Sequence, residues 1–365
     1  MSSSDPPVGE PGGTSDPTGS DKSPEPGSIV TVPGVITPPA TVGTPPPPTR
    51  LGASTFTIEG RSAPALFVIG WLATLLGLGM IAIVLMSGGT TAGLVLLFVG
   101  LLVLSIGLIA AAGSQGIERR VRGVLPYVGP SPFLVFAAVL PVSILAGFVV
   151  GLPLTALGMA LDGPLAALVA VTVQAVIYIW LVRLLVVDTG ALSWREMGVL
   201  RLDRTALAEV GGGALWAVPI IAITVVVTEI LLAIFPVVPV SPFPPTHEAL
   251  GFALSLLAGV IVAPFGEEIL FRGFATTAWV RGLGIWRGVI QAALIFAFAH
   301  VLTISGKDAG EAFGLAAVGF GSRIPIAIAL GWLFVRRRTV WASFGLHAAF
   351  NGILLVIAEI ASRSL

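Results

Sequence analysis

The chain contains no cysteine, so disulfides, thiolate nucleophiles and cysteine-held zinc or iron–sulfur centres are excluded. Charge is also scarce. Asp, Glu, Lys and Arg together make up 10% of the 365 residues, against about 25% in an ordinary soluble domain. The 19 basic and 19 acidic residues cancel to a formal net charge of zero. No basic or aromatic stripe is present either, which removes the usual basis for nucleic-acid binding. Histidine occurs only three times, as His247, His300 and His347.

Apolar residues are abundant, at 55% with a mean hydropathy of +1.00. The class this implies is an all-α polytopic membrane bundle. Residues 1–60 stand apart, with 13 of the 28 prolines and few large apolar side chains. They read as a disordered Pro/Gly/Ser-rich cytoplasmic tail of polyproline character. No short apolar stretch followed by a small-residue cleavage site lies near Met1, so no signal peptide is expected.

From Pro64 onward, apolar runs of about 20 residues recur, each able to cross a hydrocarbon layer of about 30 Å. Nine spans are expected, at 64–86, 92–112, 132–153, 164–187, 213–235, 249–270, 287–304, 312–335 and 340–361. Arginines gather in alternate connections: Arg119, Arg120 and Arg122; Arg183, Arg195, Arg201 and Arg204; Arg281 and Arg287; Arg336, Arg337 and Arg338. Since basic loops stay in the cytoplasm, the N-terminus is expected inside and the C-terminus outside the cell membrane. Residues 190–210 read as an amphipathic helix on the cytoplasmic face. The five prolines of 235–248 predict an extended outer loop, and His247 within it reads as a solvated loop residue. The implied organisation is a tail (1–60), scaffold spans (61–187), an interfacial segment (188–212) and a polar-bearing membrane domain (213–365).

Pro264 to Gly273 places three charges inside an apolar span, each costing about 2.5–3.5 kcal/mol at a bilayer centre. At helical spacing Glu268 and Arg272 share a face, while Glu267 points about 100° away. Arg272 can then neutralise Glu268 and leave Glu267 for chemistry. Two further clusters follow, Phe296 to His300 and His347 to Asn351. Counted at 1.5 Å per residue from the flanking arginines, all three clusters reach similar depths of about 13–21 Å. A carboxylate, two imidazoles and a carboxamide at one depth suit amide hydrolysis: Glu267 takes a proton from water, an imidazole orients that water, and Asn351 with His347 donates to the oxyanion.

The three motifs, Glu267-Glu268 to Arg272, Phe296 to His300, and His347 to Asn351, resemble in kind and order those of the CPBP family. This is the CAAX protease and bacteriocin-processing (Abi) group, which includes the type II CAAX prenyl endopeptidases. The likeness covers about 250–355, and Trp194 to Gly198 resembles the segment that precedes the family's catalytic half. It implies an intramembrane endopeptidase acting on a membrane-associated protein or peptide, by CAAX-type or leader-type processing. Glu267 is then the base, His300 its partner on the water, and His347 with Asn351 the oxyanion donors, with Glu268, Arg272 and Phe296 supporting. Either zinc held by His300, His347 and Glu267 or a metal-free glutamate mechanism is compatible. The metal-free scheme is preferred, because Glu267 is needed as base and Glu268 is held by Arg272. Two alternatives compete: a non-catalytic immunity or scaffold protein of the same fold, and a proton-coupled transporter using Glu229, Glu267 and His300. The transporter reading is disfavoured by the lack of an internal repeat.

Overall fold

The computed structural model describes residues 58, 60–87, 90–123, 125–239, 241 and 243–363. The proline-rich stretch of 1–60 therefore lies almost wholly outside the described residues. The described residues build a helical membrane bundle, with no strand among them. Its elements are α1 (Pro64–Ser87), α2 (Thr91–Arg122), α3 (Pro132–Ala156), α4 (Pro164–Val187), α5 (Arg204–Ala214) continuing as α6 (Ala217–Ile234), α7 (Ala249–Leu283), α8 (Ile285–Ala299), α9 (Ala309–Arg337) and α10 (Val340–Arg363). Eight of these spans, with α5 and α6 counted as one, are long and apolar enough to cross a bilayer, and the protein is an integral multi-pass membrane protein. The expected seventh span is the exception. Its helix, α8, has 15 residues, about 22 Å of rise, and ends at His300 rather than at 304.

Helix starts follow local chemistry. Pro132 and Pro164 open α3 and α4, where a missing N–H costs nothing. Thr90, Asp203 and Asp308 cap α2, α5 and α9 by accepting from Gly93, Ala206 and Glu311 backbone N–H groups at 3.0, 2.9 and 2.9 Å. In lipid, helices associate by close packing rather than by apolar burial, and the contacts show it. On α1 only Phe67, Gly70, Thr74 and Gly77 are buried. Gly70 and Gly77 lie against the backbone at Ala111 and Leu104 of α2. Gly213 of α5 and Gly345 of α10 face carbonyls of Ala342 and Val210 so closely that neither position has room for a Cβ.

The main core joins α2, α3, α4, α7 and α8 around Phe271, Phe274, Leu181, Val135 and Val139. A second core, around Ala217, Leu330, Leu333 and Leu346, ties α6, α9 and α10. The site described below lies where α7, α8 and α10 meet.

Residues 190–203 correct the expectation of an amphipathic interfacial helix. They form turns, and helix resumes only at Arg204. Gly190 and Gly198 take left-handed φ values of 73° and 71°, which breaks a helix between them. Leu192 and Met197 point into the main core, 1% and 0% exposed. The Met197 carbonyl lies beside Gly273 of α7. Val340 N–H donates to the Gly198 carbonyl at 3.0 Å, and the Trp341 indole to the Leu200 carbonyl at 2.9 Å. The segment is thus a plug seated beneath α7 and against the α9–α10 turn. Its Glu196 accepts from the Ser193 N–H and hydroxyl and from Arg281 at 2.7, 2.8 and 2.9 Å. The Ser193 N–H, followed by the Arg281 guanidinium, pulls its carboxyl down to about 2.

The described part of 235–248 is not helical beyond Phe235, in line with its prolines. It is tied down by Glu359 of α10, which accepts from the Thr246 and His247 backbone N–H groups at 2.9 and 3.0 Å and pairs with Arg363 at 2.8 Å. His247 thus serves through its backbone.

Candidate active site

α7 carries the acidic pair and is not a plain α-helix. Leu257–Val262 and Glu268–Thr276 are π-helical, with i→i+5 bonding that widens the turn and is concentrated at functional sites in proteins. The Thr276 hydroxyl supports the second stretch by donating to the Phe271 carbonyl five residues back at 2.8 Å. Gly266, next to Glu267, packs on Ala175 of α4 with no space for a side chain.

The two glutamates diverge as their spacing predicts. Glu268 Oε1 lies 3.1 Å from Arg272 Nη1, and both side chains are 1% exposed. Geometry tempers that pair. Neither Arg272 Nη atom makes an aligned hydrogen bond, and the guanidinium instead sits 4.2 Å over the Phe296 ring, a cation–π contact. Phe296 also packs 4.5 Å from the His300 ring and 5.8 Å from His347. It is the apolar wall that the Arg272 guanidinium and both imidazoles share.

Glu267 is 16% exposed and turns away from Arg272 toward His300 Nε2 at 3.9 Å and His347 Nε2 at 3.7 Å, both measured to Oε2. The opposite ring nitrogens are committed. His300 Nδ1 lies 2.7 Å from the Phe296 carbonyl, and His347 Nδ1 lies 2.9 Å from Glu268 Oε1. Both partners accept, so each Nδ1 carries a proton and each ring turns its Nε2 toward Glu267. His347 can donate from Nε2 only when it holds two protons. Glu268 thus has a second partner besides Arg272, His347, with the Ser343 hydroxyl also beside it. Sequence spacing could not show the second, because 79 residues separate it from His347.

Asn351, one turn along α10 from His347, donates Nδ2 to the Gly259 carbonyl at 2.8 Å. A carbonyl only accepts, which fixes the amide orientation and leaves one further N–H on that nitrogen. Glu229 stands exposed on α6 and pairs with neither Glu267 nor His300 among the described residues. The residues of the transporter reading are therefore not assembled.

One charge escaped the sequence reading. Arg323 lies 14 residues from either end of α9, and its Nη1 donates to the Gly319 carbonyl at 2.7 Å. It interacts electrostatically with both Glu267 and His300. As a single arginine in a glycine-rich span it falls outside every motif, and its depth in the helix was the available signal.

As for metal, no group of three His, Asp or Glu side chains among the described residues is arranged as a ligand set. The Nε2 atoms of His300 and His347 stand 3.9 and 3.7 Å from Glu267 Oε2. An apolar recess of about 470 Å³ runs along α10 between Val210, Ala214, Val260, Gly345 and Ile353. It includes none of the polar set.

Residues 249–353, which span α7, α8, α9 and the first half of α10, match the family model described as Type II CAAX prenyl endopeptidase Rce1-like. No curated protein and no solved structure gives a match.

Proposed function

We propose that the protein is an intramembrane endopeptidase that hydrolyses a peptide bond of a membrane-associated protein or peptide, by CAAX-type or leader-type processing, with Glu267 activating water. The observation that carries this reading is the convergence of Glu267 Oε2 with two imidazole Nε2 atoms whose rings are fixed from behind. Separations of 3.7 and 3.9 Å exceed a direct hydrogen bond and suit a water touching all three groups. A water that donates one hydrogen to the carboxylate and one to an imidazole keeps a lone pair for attack. Its oxygen adds to the scissile carbonyl carbon as its proton passes to Glu267. The C–N bond then breaks, and Glu267 returns that proton to the departing amine nitrogen.

The free N–H of Asn351 is the donor available to the oxyanion. His347 joins it only in a doubly protonated ring and otherwise acts with His300 on the water. Glu268, Arg272 and Phe296 hold these groups from behind. The mechanism uses the chain's own groups throughout. In this reading 213–365 is the catalytic part, α1–α4 are the scaffold, and the tail and the arginine-rich connections face the cytoplasm. The apolar recess along α10 offers a berth for a lipid or a substrate's apolar anchor.

The test uses detergent-solubilised full-length protein with two peptides, one ending in a prenylated Cys-aliphatic-aliphatic-X sequence and one a bacteriocin-type leader. Wild type is expected to release a new amine from at least one, Glu267→Gln none at unchanged folded yield, and prolonged chelation is expected to leave turnover intact. Cleavage that survives Glu267→Gln would remove the base from this scheme. Stoichiometric zinc lost together with activity in His347→Ala would replace the metal-free scheme. Binding without turnover would favour a scaffold or immunity role.

A further inference from the structure

Pro264 is buried inside α7, one turn before Glu267, and the proposed chemistry gives it no part. A proline within a membrane helix removes one main-chain donor and leaves a carbonyl to be satisfied from elsewhere. The register decides which carbonyl that is. In the π-helical stretch Leu257–Val262 the bonds reach back five residues, and Ala263 N–H continues them by donating to the Ala258 carbonyl. The next bond in that register would join residue 264 to the Gly259 carbonyl, and Pro264 has no N–H with which to make it. The donor that a plain α-helical turn would offer Gly259, the Ala263 N–H, is spent on Ala258.

Gly259 is buried. A Cβ on it would meet Phe243 of the 235–248 connection and Leu355 of α10 at 3.1 Å each, so the surroundings of this peptide group are apolar. A buried carbonyl without a donor is costly. The donor that reaches it is Asn351 Nδ2, at 2.8 Å. Were residue 264 to donate instead, the amide would lose its anchor, and its oxygen and nitrogen could change places. An oxygen turned toward the reacting carbonyl repels the developing oxyanion, where an N–H stabilises it.

We infer that Pro264 is a positioning residue: by leaving the Gly259 carbonyl without a main-chain donor, it holds the Asn351 carboxamide with an N–H available to the oxyanion. The catalytic consequence rests on the endopeptidase reading, whereas the orientation rests on hydrogen bonding alone.

Asn351 is the only asparagine in the chain, so its side-chain amide can be followed by itself. Full-length protein, isotopically labelled at the asparagine side-chain nitrogen, is compared in detergent by NMR, with Asn351→Ala identifying the signal. In wild type one Nδ2 proton is expected well downfield of its twin, as a bond to a carbonyl requires, and in Pro264→Ala the two should converge. The single-turnover rate of peptide cleavage should fall at least about 10-fold in Pro264→Ala at unchanged half-saturation, within the about 10²–10³-fold that loss of an oxyanion donor costs. Melting temperature should not fall, since alanine suits a helix better than proline. Added to Asn351→Ala, Pro264→Ala should slow cleavage no further, because both act through one group. Amide signals that stay put in Pro264→Ala, or an equal loss of rate with and without Asn351, overturn the inference and assign Pro264 to the fold. If Pro264→Ala does not fold, Pro264→Gly restores the same N–H, and twin protons of like shift in wild type would already overturn it. Converging signals in a protein that cleaves no peptide remove the endopeptidase reading and leave the orientation standing. Cleavage by wild type with the amide unmoved by the substitution removes this inference alone.

Discussion

Glu267 and Glu268 are neighbours in sequence with opposite environments, and their difference is a matter of access. At 16% exposure Glu267 can meet water, whereas Glu268, at 1%, meets Arg272 and His347. Removing one partner of a buried pair strands the other and typically costs about 3–5 kcal/mol. Glu268→Ala is therefore expected to lower folded yield and melting temperature, and to free the His347 ring. Glu268→Gln, which keeps an oxygen for His347 Nδ1, should lose less. Thermal unfolding of the purified variants in detergent measures both, and equal stability of all three proteins would deny Glu268 this role.

At the level of elements, α10 reaches the site only because glycine lets it approach. Gly345 lies two residues before His347 and packs on the Val210 carbonyl. A valine there must push α5 away by more than side-chain adjustment allows, at a cost of at least about 1–3 kcal/mol. Gly345→Val is expected to lose stability and activity together, whereas Ile360→Val, at an exposed position of α10 outside the recess, should lose neither; melting and peptide-cleavage assays compare them.

The plug at 190–203 gives a second prediction at this scale. Because the Glu196 carboxyl is held near 2 in the fold and titrates near 4.3 in an open chain, the folded plug binds fewer protons. Its contribution is therefore present above about pH 4 and is lost as pH falls toward 2. Solvent screening of this exposed pair keeps the effect small. Fluorescence of the adjacent Trp194 should change between pH 5 and pH 2 in wild type and not in Glu196→Gln. An identical acid transition in both proteins would assign it to other carboxylates.

For the whole molecule, the arginine distribution predicts the α9–α10 turn in the cytoplasm and the α8–α9 connection on the opposite side. A cysteine-free chain makes the test clean. Ser305→Cys should react with an impermeant thiol reagent added to intact cells, while Arg337→Cys should react only after permeabilisation. Labelling of both from the same side would reverse the expected crossing of α9.

Much of this was legible in the sequence because membranes impose simple rules. Apolar run length gave the helices, since a backbone in lipid must satisfy itself, and rarity singled out the polar residues that α7, α8 and α10 bring together, since few charges are tolerated in lipid. The i, i+4 spacing of Glu268 and Arg272 survived even a π-helical turn. What sequence could not supply needed distant chain segments to meet. The His347–Glu268 bond fixes a tautomer across 79 residues, the Asn351 amide is half spent on Gly259 across 92, and Arg323 gains meaning only from what lies beside it. The plug at 190–203 misled for the same reason: its apolar residues read as one face of a helix, but two left-handed glycines and a core waiting beneath α7 turned them inward. Local pattern decides which groups a membrane helix carries, and packing alone decides which of them share a proton.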